Sequence, residues 1–191
     1  HYRAIAESSN LPVLLYTNPA RTEVKISPSL LARLAEIENI VGIKDSSGDL
    51  ELTAQYIRVT PPDFAVLMGR DTLILAALLY GAKGAIAATA NVVPALVVSI
   101  YERFKAGDLD GARRAQESLA PLRLAFSWGT FPVVIKEALD LMGMEGGPAR
   151  ARGDPVLAVQ IAVFAETAAA PRGQRQQYGL PVGASCIVIP P

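Results

Sequence analysis

A lysine and a tyrosine stand at the carboxyl ends of two neighbouring apolar runs of the chain. Lys44 follows the run 40–43, and Tyr16 follows the run 13–15. A free amine adds to a ketone to give a carbinolamine and then an imine, and a phenol can pass the protons that these steps require. Each residue alone has an ordinary alternative, namely a lysine that reaches solvent and a core tyrosine with its hydroxyl at the rim. Together, at the ends of adjacent parallel strands, they predict Schiff-base chemistry.

Three further segments end near the same predicted edge of the sheet. Arg21 follows Tyr16 in a loop, where a guanidinium either pairs with a substrate carboxylate or is simply solvated. The small residues of segment 84–91 either let backbone carbonyls approach a ligand or let the strand pack tightly on a helix. The segment Gly69-Arg70-Asp71 is too short for a phosphate loop, and Asp71 as a helix cap is the simpler interpretation.

Strands and helices alternate in the first half of the chain. Short runs that are apolar on both faces predict buried parallel strands at 11–16, 40–45, 64–69 and 84–89. Helical periodicity between them predicts helices at 27–37, 50–59 and 71–79, capped by Ser27, Asp49 and Asp71. This β-α repeat is typical of a barrel or of a doubly wound sheet.

The pattern changes beyond residue 93. Segments 94–106, 108–126 and 130–142 predict three helices with no strand between them. We therefore predict barrel elements in residues 1–93, a helical domain in 94–152 and a divergent tail in 153–191. The tail has no lysine and is rich in Ala, Pro and Gly. It is either a divergent, partly disordered extension or the product of a reading-frame shift.

Composition narrows the classes of function. The chain has 191 residues, 51% of them hydrophobic, and its 18 basic residues equal its 18 acidic ones. This balance argues against a nucleic-acid partner, and the absence of a long apolar run argues against a membrane span. One cysteine and one histidine argue against disulfides and zinc sites. These features favour a cytoplasmic protein. The start at His1, within a helical pattern, predicts that the chain begins inside a larger protein.

The chain resembles the dihydrodipicolinate synthase / N-acetylneuraminate lyase family of class I aldolases in three segments. Their residues, order and spacing are similar to those of the family, and the segments are 14–22, 39–49 and 81–92. The likeness runs from His1 to about residue 150. It implies an α/β fold, the C-terminal half of a (β/α)8 TIM barrel with about four strands, followed by a C-terminal helical domain. It also implies a homotetramer for the full-length protein.

The same resemblance assigns roles to four residues. Lys44 would form the Schiff base with pyruvate or another 2-keto acid, and Tyr16 would relay protons. The backbone carbonyl of Ile86 would line the pyruvate site. Arg21 would bind the carboxylate of aspartate semialdehyde, which favours the synthase branch that leads towards lysine. This chemistry requires neither a metal nor an organic cofactor.

Two alternatives stay open at this point. The segment 146–150 also resembles 4-hydroxy-2-oxoglutarate aldolases, so the substrate is either that compound, a 2-keto-3-deoxy sugar acid, or the pair named above. The other alternative is an inactive half-barrel, because the family's loop for the keto-acid carboxylate and its second tyrosine cannot be assigned in this chain.

Overall fold

The structure, a computed structural model, describes residues 1–127, 129–148 and 187–188. The chain divides into two compact units. The first comprises His1–Ile86 with Ile187–Pro191, and the second comprises Ala87–Cys186. The first unit contains the sheet and the second contains the last three long helices.

Strands and helices alternate in the first unit, as the sequence predicts. In chain order its helices and strands are α1 (Tyr2–Glu7), β1 (Val13–Thr17), α2 (Pro19–Thr22), α3 (Pro28–Leu34), β2 (Ile40–Asp45), α4 (Leu50–Val59), β3 (Ala65–Met68), a 3-10 turn (Asp71–Leu73), α5 (Ile74–Tyr80), β4 (Gly84–Ile86) and β5 (Ile187–Val188). The strands pair in the order β1-β2-β3-β4-β5, and the first four run parallel. The predicted α/β arrangement of four parallel strands is therefore confirmed.

The two faces of the sheet carry different residues, because successive side chains of a strand point to opposite sides. Leu15, Ile43 and Val66 belong to one buried cluster that includes Leu31 of α3 and Tyr56 of α4. The register places Tyr16 directly opposite Lys44, on the other face. The helices are thus packed behind the sheet, and the candidate reactive pair lies in front of it.

Two of the three predicted caps begin helices as expected. The Ser27 side chain accepts a hydrogen bond from the Leu30 amide at the start of α3, and Asp49 does the same for Leu52 at the start of α4. The prediction for Asp71 was wrong in position. It lies in the 3-10 turn that precedes α5, and this helix has Leu73 at its N-cap.

Two strand predictions need correction. The strand predicted at 84–89 ends at Ile86, because the residues that follow form a 3-10 turn over Ala88–Asn91 in the second unit. The antiparallel strand β5 was not predicted at all, and it pairs Ile187 with Ile86. The rest of the predicted tail, 153–191, lies outside the described residues.

The second unit is helical in its described part. It contains α6 (Pro94–Lys105), α7 (Leu109–Ala125) and α8 (Val133–Leu141). Gly107, with a φ of +78°, separates α6 from α7, and the Asp108 side chain caps α7 by accepting a hydrogen bond from the Gly111 amide. None of the helices in the described residues is long and apolar enough to cross a bilayer.

Candidate active site

The structure brings Lys44 and Tyr16 into contact. The two residues are register partners on β2 and β1, and the Lys44 ammonium lies 4.7 Å from the centroid of the Tyr16 ring. Lys44 is half-buried, whereas 54% of the surface of Tyr16 is exposed. A substrate that approaches this face of the sheet therefore meets the amine and the phenol side by side.

The Tyr16 hydroxyl is held by a neighbour that sequence reasoning missed. The side-chain amide of Asn18 donates a hydrogen bond to the Tyr16 hydroxyl oxygen at 2.8 Å. Because this bond occupies a lone pair, the phenolic proton stays available for a substrate. Asn18 lies two residues after Tyr16, just beyond the end of β1, and this position could have suggested the hydrogen bond.

The backbone around Lys44 is fixed by hydrogen bonds to both neighbouring strands. The Ser46 amide donates to the Thr17 carbonyl at 2.9 Å, and the Gly69 amide donates to the Asp45 carbonyl at 2.7 Å. These bonds join the carboxyl ends of β1, β2 and β3 on either side of the lysine. The point from which the Lys44 side chain starts is therefore well defined.

Asp45 anchors the segment after Lys44 from behind the sheet. Its buried carboxylate accepts hydrogen bonds from the Thr53 hydroxyl at 2.7 Å and from the Ser47 amide at 2.9 Å. Thr53 lies in the first turns of α4, so this contact connects the strand to the helix that follows it. Sequence reasoning gave Asp45 no role, although an acidic residue inside an apolar strand was a visible signal.

One titratable group in this region has a strongly shifted pKa. Burial, together with the nearby negative charge of Asp45, raises the pKa of the Tyr56 phenol to about 12. The Tyr56 hydroxyl donates a hydrogen bond to the Ile26 carbonyl. Tyr56 is fully buried behind the sheet and therefore serves packing rather than chemistry.

The other two predicted site residues lie on elements other than the two strands that hold Lys44 and Tyr16. Arg21 is exposed in the short helix α2, which directly follows β1. Ile86 is buried at the end of β4, and β4 does not pair with β2. Among the described residues, no hydrogen bond or ion pair joins Arg21 to Lys44, and no cluster of His, Cys, Asp and Glu has the arrangement of a metal site.

Comparison with known proteins gives a consistent result. The model of the dihydrodipicolinate synthetase family matches residues 1–162. A 4-hydroxy-tetrahydrodipicolinate synthase of Archaeoglobus fulgidus is 43% identical over 150 residues, which cover 78% of this chain and 52% of that protein. The chain thus spans about half the length of the curated relatives that it matches.

Solved structures agree with the fold. Dihydrodipicolinate synthase DapA-2 of Bacillus anthracis matches with a TM-score of 0.81 and 35% identity, over 90% of this chain and 59% of that one. YagE, a prophage protein of the same family from Escherichia coli K12, was solved in complex with pyruvate. It matches with a TM-score of 0.77 and 29% identity, over 86% of this chain and 57% of that one. On this sequence and structural evidence, the chain belongs to the dihydrodipicolinate synthetase family.

Proposed function

We propose that the protein is a Schiff-base lyase that condenses pyruvate with an aldehyde, and that Lys44 forms the Schiff base. The observation that carries this proposal is the distance of 4.7 Å from the Lys44 ammonium to the centroid of the Tyr16 ring. The two residues are register partners on the paired strands β2 and β1. The pyruvate complex of the family member YagE supports the choice of keto acid.

The reaction follows from these two side chains. The Lys44 Nζ attacks C2 of pyruvate to form a carbinolamine, and loss of water gives the imine. Loss of a methyl proton converts the imine to an enamine, whose carbon attacks the aldehyde carbon to form the new bond. Hydrolysis then releases a linear product and the free amine of Lys44. When the aldehyde carries an amino group, as aspartate semialdehyde does, that group instead attacks the imine carbon, closes a ring and displaces the Lys44 amine without water. Tyr16 would deliver and remove the protons at the carbinolamine, because its hydroxyl proton is not used in the bond from Asn18.

Within this class we propose that the aldehyde is aspartate semialdehyde, which makes the protein a 4-hydroxy-tetrahydrodipicolinate synthase. The relatives' names support this choice. So does Arg21, an exposed guanidinium in the helix that follows Tyr16, because a guanidinium is suited to bind the carboxylate of that aldehyde. A homotetramer is part of the same proposal, as the resemblance to the family implies.

Borohydride trapping tests the central step. The protein is incubated with pyruvate, reduced with borohydride, and analysed by intact mass and peptide mapping. We expect one reduced pyruvate adduct, located at Lys44 and absent from Lys44→Ala. Lys83→Ala is the matched control, because Lys83 is an exposed lysine directly before β4, and its removal should leave the adduct unchanged.

The outcomes separate clearly. An adduct confined to Lys44 would support the proposal. Adducts spread over exposed lysines, or retained in Lys44→Ala, would refute the assigned role of Lys44. No adduct at all would leave the family membership intact but would contradict a working Schiff-base site in this chain.

A further inference from the structure

Arg70 is a half-buried arginine whose side chain has no hydrogen-bond or ion-pair partner among the described residues. Its Nε has almost no accessible surface and finds no acceptor, and the guanidinium makes no ion pair there. A buried donor without a partner costs free energy, and a charged donor costs more than a neutral one. Because the Nε has almost no accessible surface while the residue as a whole is half-buried, a ligand would meet the other nitrogens of the guanidinium.

The position of Arg70 places this cation at the reactive edge of the sheet. Arg70 follows Gly69 at the carboxyl end of β3, and the register of β3 pairs Leu67 with Lys44. The Arg70 guanidinium lies against Gly48, in the loop that follows β2. A Cβ added to Gly48 would lie 3.1 Å from the Arg70 Nε. The loop after the lysine therefore leaves space for this guanidinium.

The charged groups of Arg70 and Lys44 lie near different elements of the fold. The Lys44 ammonium lies over the ring of Tyr16 on β1, whereas the Arg70 guanidinium lies on the opposite side, over the loop between β2 and α4. In an imine of pyruvate the carboxylate is only two bonds from the lysine nitrogen. A charge over the β2–α4 loop is better placed for an anionic group at the far end of a longer molecule.

We propose that Arg70 binds the negatively charged group of the acceptor aldehyde and so selects for anionic acceptors. This inference rests on the proposed function, since it concerns the second substrate of the same site. When the acceptor is aspartate semialdehyde, Arg21 in α2 would contact the same carboxylate, so Arg70 would be a second cation for that group. A guanidinium presents paired donors to a carboxylate and needs an anion to satisfy them.

The test compares two acceptors of the same length that differ in charge. Succinic semialdehyde carries a carboxylate, and butanal carries a methyl group in its place. In the full-length protein, Arg70→Gln should raise the KM for succinic semialdehyde about 10- to 100-fold. This is the change in KM expected when a hydrogen bond to a charged group is lost. The KM for pyruvate and the activity with butanal should stay unchanged. Arg70→Lys should retain part of the preference.

Arg58→Gln is the matched control. Arg58 is an exposed arginine in the last turn of α4, the helix that precedes β3, and its loss should change neither KM. Melting curves of each variant establish that the folded protein is being compared. If Arg70→Gln weakens both aldehydes equally, or raises the KM for pyruvate instead, the proposal is overturned.

A second measurement distinguishes failure of this inference from failure of the proposed function. If the wild type forms no borohydride-trapped adduct, the Schiff-base proposal fails, and binding of succinate is then followed by NMR titration. Succinate binding that disappears in Arg70→Gln would support an anion site on its own. Equal binding by both proteins, or none by either, would contradict it.

Discussion

Gly69 lies so close to Lys44 that it has room only for a hydrogen. A Cβ added to Gly69 would lie 3.1 Å from the Cε of Lys44 and 2.9 Å from the Asp45 carbonyl oxygen, and it would overlap the Ser46 hydroxyl. The end of β3 thus leaves the space through which the lysine stem passes towards Tyr16. The glycine is part of the site although it has no side chain.

Gly69→Ala should therefore impair the site through Lys44. We expect the rate of pyruvate trapping to fall at least about tenfold in the folded protein, because the added methyl crowds both the lysine stem and the Asp45–Ser46 segment that follows it. A displacement of about 1 Å from productive geometry commonly has an effect of this size or larger. Trapping is measured by quenching with borohydride at a series of times.

Gly42→Ala is the control for this change. Its added Cβ would meet the Ala65 backbone and the Leu14 side chain, at the end of the sheet away from the Lys44 ammonium. Both variants should lose stability, but only Gly69→Ala should slow trapping in the molecules that remain folded. Equal slowing in the two variants would show that the effect is a general one on folding.

Removing the phenol of Tyr16 should slow the reaction while leaving its first substrate bound. In Tyr16→Phe we expect kcat for condensation to fall about 100-fold or more, within the range for loss of a positioned proton-transfer group. Asn18→Ala should have a smaller effect in the same direction, because it frees the hydroxyl from its 2.8 Å bond without removing it. Steady-state kinetics with pyruvate and aspartate semialdehyde provide the measurement.

Tyr80→Phe is a suitable comparison for Tyr16→Phe. Tyr80 is 58% exposed at the end of α5, close to the 54% of Tyr16, so the two variants remove hydroxyls of similar exposure. A normal rate in Tyr16→Phe would show that the phenol is not a proton relay, whatever its distance from Lys44.

The sequence predicted the Lys44–Tyr16 contact because both residues end apolar runs, and parallel strands align their carboxyl ends. Local patterns of this kind also predicted the caps by Ser27 and Asp49, since a cap depends on residues three positions apart. The bond from Asp45 to Thr53 could not be predicted in this way. It depends on how α4 is placed against β2, which no short-range pattern encodes.

The error at β4 has a similar cause. The segment after Ile86 is rich in alanine, which is compatible with several backbone conformations, so an apolar pattern alone did not define where the strand ends. The clearance at Gly69 and the position of the Arg70 guanidinium against Gly48 also depend on three-dimensional proximity. The sequence indicated that these residues lie near the reactive edge but did not indicate what they contact.

Arg21 provides a test between the synthase and its alternatives. Arg21→Ala should raise the KM for aspartate semialdehyde about tenfold or more, because the bond lost is to a charged carboxylate. Pyruvate trapping at Lys44 should be unaffected. The same variant is compared on cleavage of 4-hydroxy-2-oxoglutarate and of a 2-keto-3-deoxy sugar acid. Faster turnover of either compound than of the synthase pair by the wild type would refute the assignment of aspartate semialdehyde.

We predict that the 191-residue chain self-associates through the outer edge of β1. In the described residues β1 pairs with β2 on one side only, and an unpaired strand edge is a template for another chain. We expect light scattering after gel filtration to show species larger than a monomer. Leu14→Lys, which places a charge on this strand, should reduce them, whereas Leu79→Lys on the exposed surface of α5 should not. A monodisperse wild-type monomer that melts cooperatively would contradict the prediction.

Tyr56 should make the stability of the fold depend on pH in the alkaline range. Its pKa is raised from the usual 10 to about 12 in the folded chain, so folding favours the protonated phenol. This contribution is fully present below pH 10 and is lost as the pH rises from 10 through 12. Within that range the free energy of unfolding should fall by about 1.4 kcal/mol per pH unit on account of this one group.

The variant Tyr56→Phe isolates this contribution from that of the other groups that titrate at high pH. At pH 8 it should be less stable than the wild type by about 1–3 kcal/mol, because the Ile26 carbonyl loses its hydrogen-bond donor. Between pH 10 and 12 the difference should shrink, since only the wild type must keep a buried phenol protonated. Urea denaturation at several pH values measures both curves, with Tyr80→Phe as the exposed control. Curves for the wild type and Tyr56→Phe that stay parallel up to pH 12 would show that burial does not raise the pKa of Tyr56.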